Sequence, residues 1–183
     1  MKYTSEVFQR LSRGQFISSN SIDAETRAIY SDIEENQQEY EDYFSKIDFL
    51  LSSGDGFYYF SRKEAKVITE NKLQSLFSWI DYLDFLKTYD TTFDAGTQFS
   101  LVQMEVKLST IPGLKEKLAQ MFPGKLTNRQ KLETLAAAME SMGIAEMVNE
   151  ADGTYQVTNA FHYIEQIILC INIDEDVKDE IPQ

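Results

Sequence analysis

Two short apolar runs hinge on Asp55-Gly56 in the stretch LLSSGDGFYYFSR, and MVNEADGTYQVT repeats the device at Asp152-Gly153. An Asp-Gly pair between strand-forming residues is a strong hairpin signal, because glycine accepts the positive φ that a tight turn needs. What precedes each hinge narrows the fold. Val7, Phe8 and Leu11 lie at helical spacing and predict a short helix stopped by Gly14, with the extended QFIS after it. Asp23 is placed to cap a second helix whose apolar face is Ala28, Ile29 and Ile33, and Tyr40, Tyr43, Phe44 and Ile47 give a third its face. The order is helix, short strand, helix, helix, hairpin, which is that of a winged helix.

The second half repeats it. A helix is predicted from Phe99 to Leu108, Ile111-Pro112-Gly113 breaks the chain, and Leu114, Leu118 and Met121 suggest a short second helix. Thr127-Asn128-Arg129-Gln130 has the form of a capping box and opens a helix bearing Leu132, Leu135, Ala136, Met139 and Met142, closed by Gly143. After the second hairpin, Asn159 can cap a last helix with Phe161, Ile164, Ile167, Ile168 and Ile171. The fold class expected is mainly α with small β-hairpins (α+β), as two winged-helix units in tandem. Turn-forming residues in TYDTTFDAGTQ place the boundary there, giving an N-terminal unit over 1–92 and a C-terminal unit over 93–183.

Between the units, Ser61 to Glu64 reads as another capping box and starts a long helical region reaching Tyr89. Its apolar residues form two stripes. Leu73, Leu76, Phe77, Ile80 and Leu83 make one, and Trp79, Tyr82, Leu86 and Tyr89 make another. One core contact would leave large aromatics in water, so Trp79, Tyr82 and Leu86 are candidates for a homodimer interface; burial all round within the monomer is the alternative.

Net charge is −13 in 183 residues, and both halves are acidic, with 10 basic against 16 acidic residues up to Asp90 and 7 against 14 beyond it. Neither half is a generic polyanion binder. The C-terminal DEDVKDEIPQ carries much of the second deficit and reads as a solvated end. Cys170 is the only cysteine and sits in the apolar run IILCINI, which suits a reducing compartment; the N-terminal residues lack the apolar run of a secretory signal. A cytoplasmic protein is expected.

Catalytic chemistry is thinly represented. His162 is the only histidine, so a histidine metal site could at best share that residue with carboxylates, and a structural role for it is the simpler expectation. FPGKLT resembles the end of a phosphate-binding loop, but Ala119 stands where its first glycine belongs. Cys170 and His162 are about two helical turns apart and cannot form a nucleophilic pair. Glu34, Glu35, Glu39, Glu41 and Asp42 fall on the outward side of predicted helices. No active site, metal or cofactor is assigned, and no enzymatic activity is expected.

The stretches LSRGQFISSNS and AIYSDIEENQQEYEDYFSKIDFLLSSGDGFYYFSR carry a Gly-x-Phe-Ile element (Gly14, Phe16, Ile17), a Tyr-rich helix pair (Tyr30, Tyr40, Tyr43) and an aromatic hairpin ending in Phe60-x-Arg62. Over about the first 62 residues this pattern resembles the MukE family of bacterial condensin accessory subunits, including its MksE-type relatives. The resemblance implies a non-catalytic tandem winged-helix homodimer that binds a kleisin (MukF-like) subunit and through it an SMC ATPase, in chromosome condensation and segregation or in plasmid defence of the Wadjet kind. It also implies nucleoid association, with DNA contacted mainly within the complex.

Side chains on a strand alternate between its two faces, so Phe57 and Tyr59 point one way while Tyr58 and Phe60 point the other. One face is expected to pack on its own unit and the other to stay open, which makes Phe57, Tyr58, Tyr59 and Phe60 the candidate kleisin-binding wing; cover by the long helix is the alternative. A different class of function competes: a free winged-helix DNA-binding transcriptional regulator. GKLTNRQK supports it, where Lys125, Arg129 and Lys131 occur with no acid between them, and Arg62, Lys63 and Lys66 add a weaker cluster. Against it, DIEENQQEYEDYF would press acid on phosphates.

Overall fold

The computed structural model describes residues 1–61 and 70–169, with side chains over 1–61 and 77–169. Arg62, Lys63, Glu64, Lys66, Cys170 and the acidic tail lie outside the described residues, as do the side chains of Leu73 and Leu76.

In the first half, α1 (Thr4–Leu11), β1 (Ile17–Ser18), α2 (Ala24–Glu35) and α3 (Gln37–Ser45) lead into the hairpin of β2 (Leu50–Gly54) and β3 (Phe57–Ser61). The Asp23 side chain caps α2 as its position predicts, accepting from the backbone N–H groups of Glu25 at 3.4 Å and Thr26 at 2.9 Å. β3 is central in an antiparallel sheet of order β1-β3-β2. Gly54 pairs with Phe57, leaving a two-residue turn at Asp55-Gly56 in which Gly56 takes φ +77°. The Phe57 ring folds back over Gly54 so closely that a Cβ there would lie 2.0 Å from its tip.

The second half contains α4 (Glu70–Tyr89), β4 (Gln98–Ser100), α5 (Leu101–Lys107), α6 (Leu114–Met121), α7 (Asn128–Met142), β5 (Ala145–Asn149), β6 (Thr154–Val157) and a last helix, α8, over 161–169. Both arms of the Thr127–Gln130 capping box form, and Gly143 closes α7 in the left-handed region. The second sheet, β4-β6-β5, repeats the first in order and direction. Phe99 is not helical as expected. It lies in β4, opposite Tyr155, because three residues are enough to complete a sheet and too few to show a period.

Two cores result. The smaller collects Val7, Leu11, Ile17, Ile29, Ile33, Tyr40, Phe44, Leu51 and Tyr58 from the first half. The larger holds the apolar faces of α5 to α8 together with Phe85, Leu86 and Tyr89 of α4 and, from the first half, Phe16 and Phe57. The packing of α4 against α6 attaches it to the second half. Helical spacing shows that α4 has apolar faces and says nothing of which partner takes them.

A polar seam joins the halves. Asn20 Nδ2 donates to the Val157 carbonyl (3.3 Å), Asn159 N–H donates to Asn20 Oδ1 (2.8 Å), and Asn159 Nδ2 donates to Ser19 Oγ (3.0 Å). Ser21 Oγ and the Ile22 N–H each donate to the Glu146 carboxylate at 2.6 Å. Ser19, Asn20 and Ser21, directly after β1, thus direct side-chain hydrogen bonds across the junction.

Candidate protein-binding surface

β3 splits its side chains between the two cores. Tyr58 points into the smaller core against Tyr30, with ring centroids 5.1 Å apart, and Phe60 leans on Phe44 at 4.8 Å. Phe57 and Tyr59 point the other way, where Phe16 and Tyr163 of α8 receive them; Tyr59 and Tyr163 are 4.8 Å apart. The wing face expected to be open is therefore covered. Its cover is α8 together with Phe16, and burying such a ring stabilises the junction by about 1.5–3 kcal/mol. Phe57 and Tyr58 are buried, while Tyr59 and Phe60 remain half-buried.

The other expected sites change in the same way. Trp79 and Leu86 belong to the larger core, and the half-buried Tyr82 stacks on Phe122 at 5.7 Å, so α4 has no spare aromatic stripe over these positions. Among the described side chains of this helix, Phe77 is the large apolar residue that is exposed. Lys131 is buried, and Arg129 Nε is paired with Glu133 at 2.9 Å. Lys125 alone of the three is exposed, and one lysine makes no patch.

Exposed apolar surface gathers elsewhere. Tyr43 and Ile47, expected in the core, are each nearly half exposed, and with Phe8, Thr4, Ser5 and Phe44 they line a groove of about 420 Å³ between α1 and α3. Phe60 forms the continuation of this surface, its centroid 6.5 Å from Phe8 and 4.9 Å from Phe49. The end of the wing and the groove are thus one aromatic surface. Beside it, α3 carries Glu39, Glu41 and Asp42 and no basic residue. An apolar trough flanked by one sign of charge suits a segment with apolar anchors and basic neighbours.

The family described as Condensin complex protein MksE matches residues 2–168. The chain belongs to this family. The match runs far past the first 62 residues, through both halves of this MksE-family chain, so the shared pattern includes the second hairpin and α8. The family description places its members in a condensin complex, which calls for surfaces that hold other subunits. A search of curated proteins found no match. Among the described residues, no helix is long and apolar enough to cross a membrane.

The groove was not legible in the sequence of this MksE-family chain. Tyr40, Tyr43, Phe44 and Ile47 stand at i, i+3, i+4 and i+7, the spacing of an ordinary core-facing stripe, and packing alone leaves Tyr43 and Ile47 open.

Proposed function

We propose that this chain is a non-catalytic accessory subunit of a bacterial SMC/condensin-type complex, acting in chromosome organisation and segregation or in plasmid defence. The family match over residues 2–168 carries this reading. In it the chain dimerises and binds a kleisin subunit that bridges it to an SMC ATPase.

The kleisin contact lies on the groove between α1 and α3 and the end of the wing. Phe60 makes the contact, and Phe57, Tyr58 and Tyr59 hold the strand in shape beneath it. A kleisin segment with basic and apolar residues lies along Phe8, Tyr43 and Ile47, with the acids of α3 beside it. The homodimer uses α4 through Phe77 and the half-buried Tyr82, since Trp79 and Leu86 are committed to the monomer core. DNA is held by the complex; Lys125, Arg129 and Lys131 do not act as one cationic patch, since Lys131 is buried and Arg129 is paired with Glu133.

The test is co-purification of the full chain with the products of the genes beside its own. Retention of a kleisin-like protein, lost on F8D/Y43D while the circular dichroism spectrum and melting temperature persist, supports the reading. A variant that folds and still retains the partner would remove the groove from the interface.

A further inference from the structure

The only histidine is not isolated in the fold. His162 and Glu165 are three residues apart on α8 and therefore share a face. The turn after α4 brings Asp94 to the same place, with its Oδ1 3.0 Å from His162 Nε2. One ligand atom from each of Asp94, His162 and Glu165 lies within 4.8 Å of the other two. We propose that these three side chains form a binding site for a divalent cation of the zinc class, joining the chain after α4 to α8.

The donor set selects the ion. One imidazole nitrogen and two carboxylate oxygens suit Zn²⁺ far better than Mg²⁺ or Ca²⁺, which favour oxygen ligands alone. In a tetrahedral zinc site with metal–ligand distances near 2.0–2.2 Å, neighbouring ligand atoms are roughly 3.3 Å apart. The gap between Asp94 and His162 already fits, and the Glu165 ligand atom lies within 4.8 Å of both. Three protein ligands leave the fourth position to water.

The surroundings hold the ligands in place. Asp94 Oδ1 accepts from the Ala95 N–H at 2.7 Å, and the Asp94 N–H donates to Thr97 Oγ1 at 3.0 Å, so a closed turn fixes the carboxylate. Phe93, fully buried, anchors that turn in the larger core. Lys87 Nζ sits 2.8 Å from Glu165 Oε1 and donates to the Phe93 carbonyl at 2.6 Å. It offsets part of the repulsion between the two carboxylates, so that they can stand together without an ion. Asp94, Glu165 and Lys87 together leave one negative charge beside the imidazole, which attracts a dication. Zinc would take the lone pair of Nε2, leaving the imidazole proton on Nδ1. All three ligands reach solvent, so an ion can enter.

The experiment is isothermal titration of the full chain, free of any histidine tag, with zinc chloride, and with magnesium chloride as the hard-cation control. Expected are one zinc per chain, no measurable magnesium binding, and a melting temperature that rises with zinc. D94N and H162A should each weaken zinc binding at least about tenfold. If H162A fails the folding check by circular dichroism, H162Q takes its place. Absence of saturable zinc binding, or binding of equal strength in the folded His162 variant, would overturn the proposal. None of these outcomes depends on kleisin binding or dimerisation.

Discussion

Replacing Gly56 by alanine tests whether the first hinge also locks the two halves together. The residue has φ +77°, and an added Cβ would lie 2.2 Å from Asn159 Nδ2 and 2.8 Å from Ser19 Oγ. Two costs follow. Holding alanine in the left-handed region costs about 1–2 kcal/mol. Displacing the Asn159 amide breaks its 3.0 Å bond to Ser19, which adds about 1 kcal/mol. Together they give about 2–3 kcal/mol, or a fall in melting temperature of about 5–10 °C for a chain of this size. Gly14 is the control. Its φ is +80°, but a Cβ there meets nothing within 4 Å, so G14A should cost about 1–2 kcal/mol from backbone strain alone, about 1 kcal/mol less than G56A. Urea unfolding followed by far-ultraviolet circular dichroism measures both variants. Adding N159A to G56A should cost almost nothing further, because the bond it removes is already broken, whereas N159A alone should cost about 1 kcal/mol. If G56A and G14A agree within about 0.5 kcal/mol, or if G56A and N159A add independently, the steric lock between the halves is refuted.

Trp79 packs in the larger core, so W79E should destabilise the monomer by about 3–5 kcal/mol, whereas F77E should leave the melting temperature nearly unchanged and act on oligomeric state. Thermal melts paired with light scattering check both, and a W79E protein that melts like wild type would sink the assignment. Burial, and for Tyr40 also the hydrogen bond to Asp32, push the phenols of Tyr40 and Tyr58 up to about 12. Each is neutral in the fold and would ionise near its ordinary value of 10 when unfolded, so their contribution is complete below pH 10 and is lost as pH rises towards about 12. Urea midpoints should therefore fall between these values in wild type and fall less in Y40F. For DNA, fluorescence anisotropy at low salt should show weak duplex binding by the isolated chain and no further loss in K125E/R129E. A tight, sequence-specific complex would instead restore the regulator reading.

Features governed by a few neighbouring residues were legible in the sequence. The hairpins at Asp55-Gly56 and Asp152-Gly153, the Asp23 cap, the Thr127–Gln130 box and the buried stripe of α7 form where their residues stand, because turn dihedrals and first-turn hydrogen bonds are settled within four positions. The family pattern was legible for the same reason, being carried by the Gly14–Ile17 element and the aromatic hairpin. Tertiary structure decided which apolar faces are left for a partner. The alternation along Phe57 to Phe60 shows two faces, but only the arrival of Tyr163 on α8 closes one of them and moves the open surface to Phe8, Tyr43 and Ile47. Lys131 reads as a surface cation until α7 docks, and His162 has only Glu165, three residues on, in view until the turn at Asp94 folds beside it. Periodicity states that a face exists; what covers it is set by elements far away in the chain, whose docking follows the total apolar area buried and not any local signal.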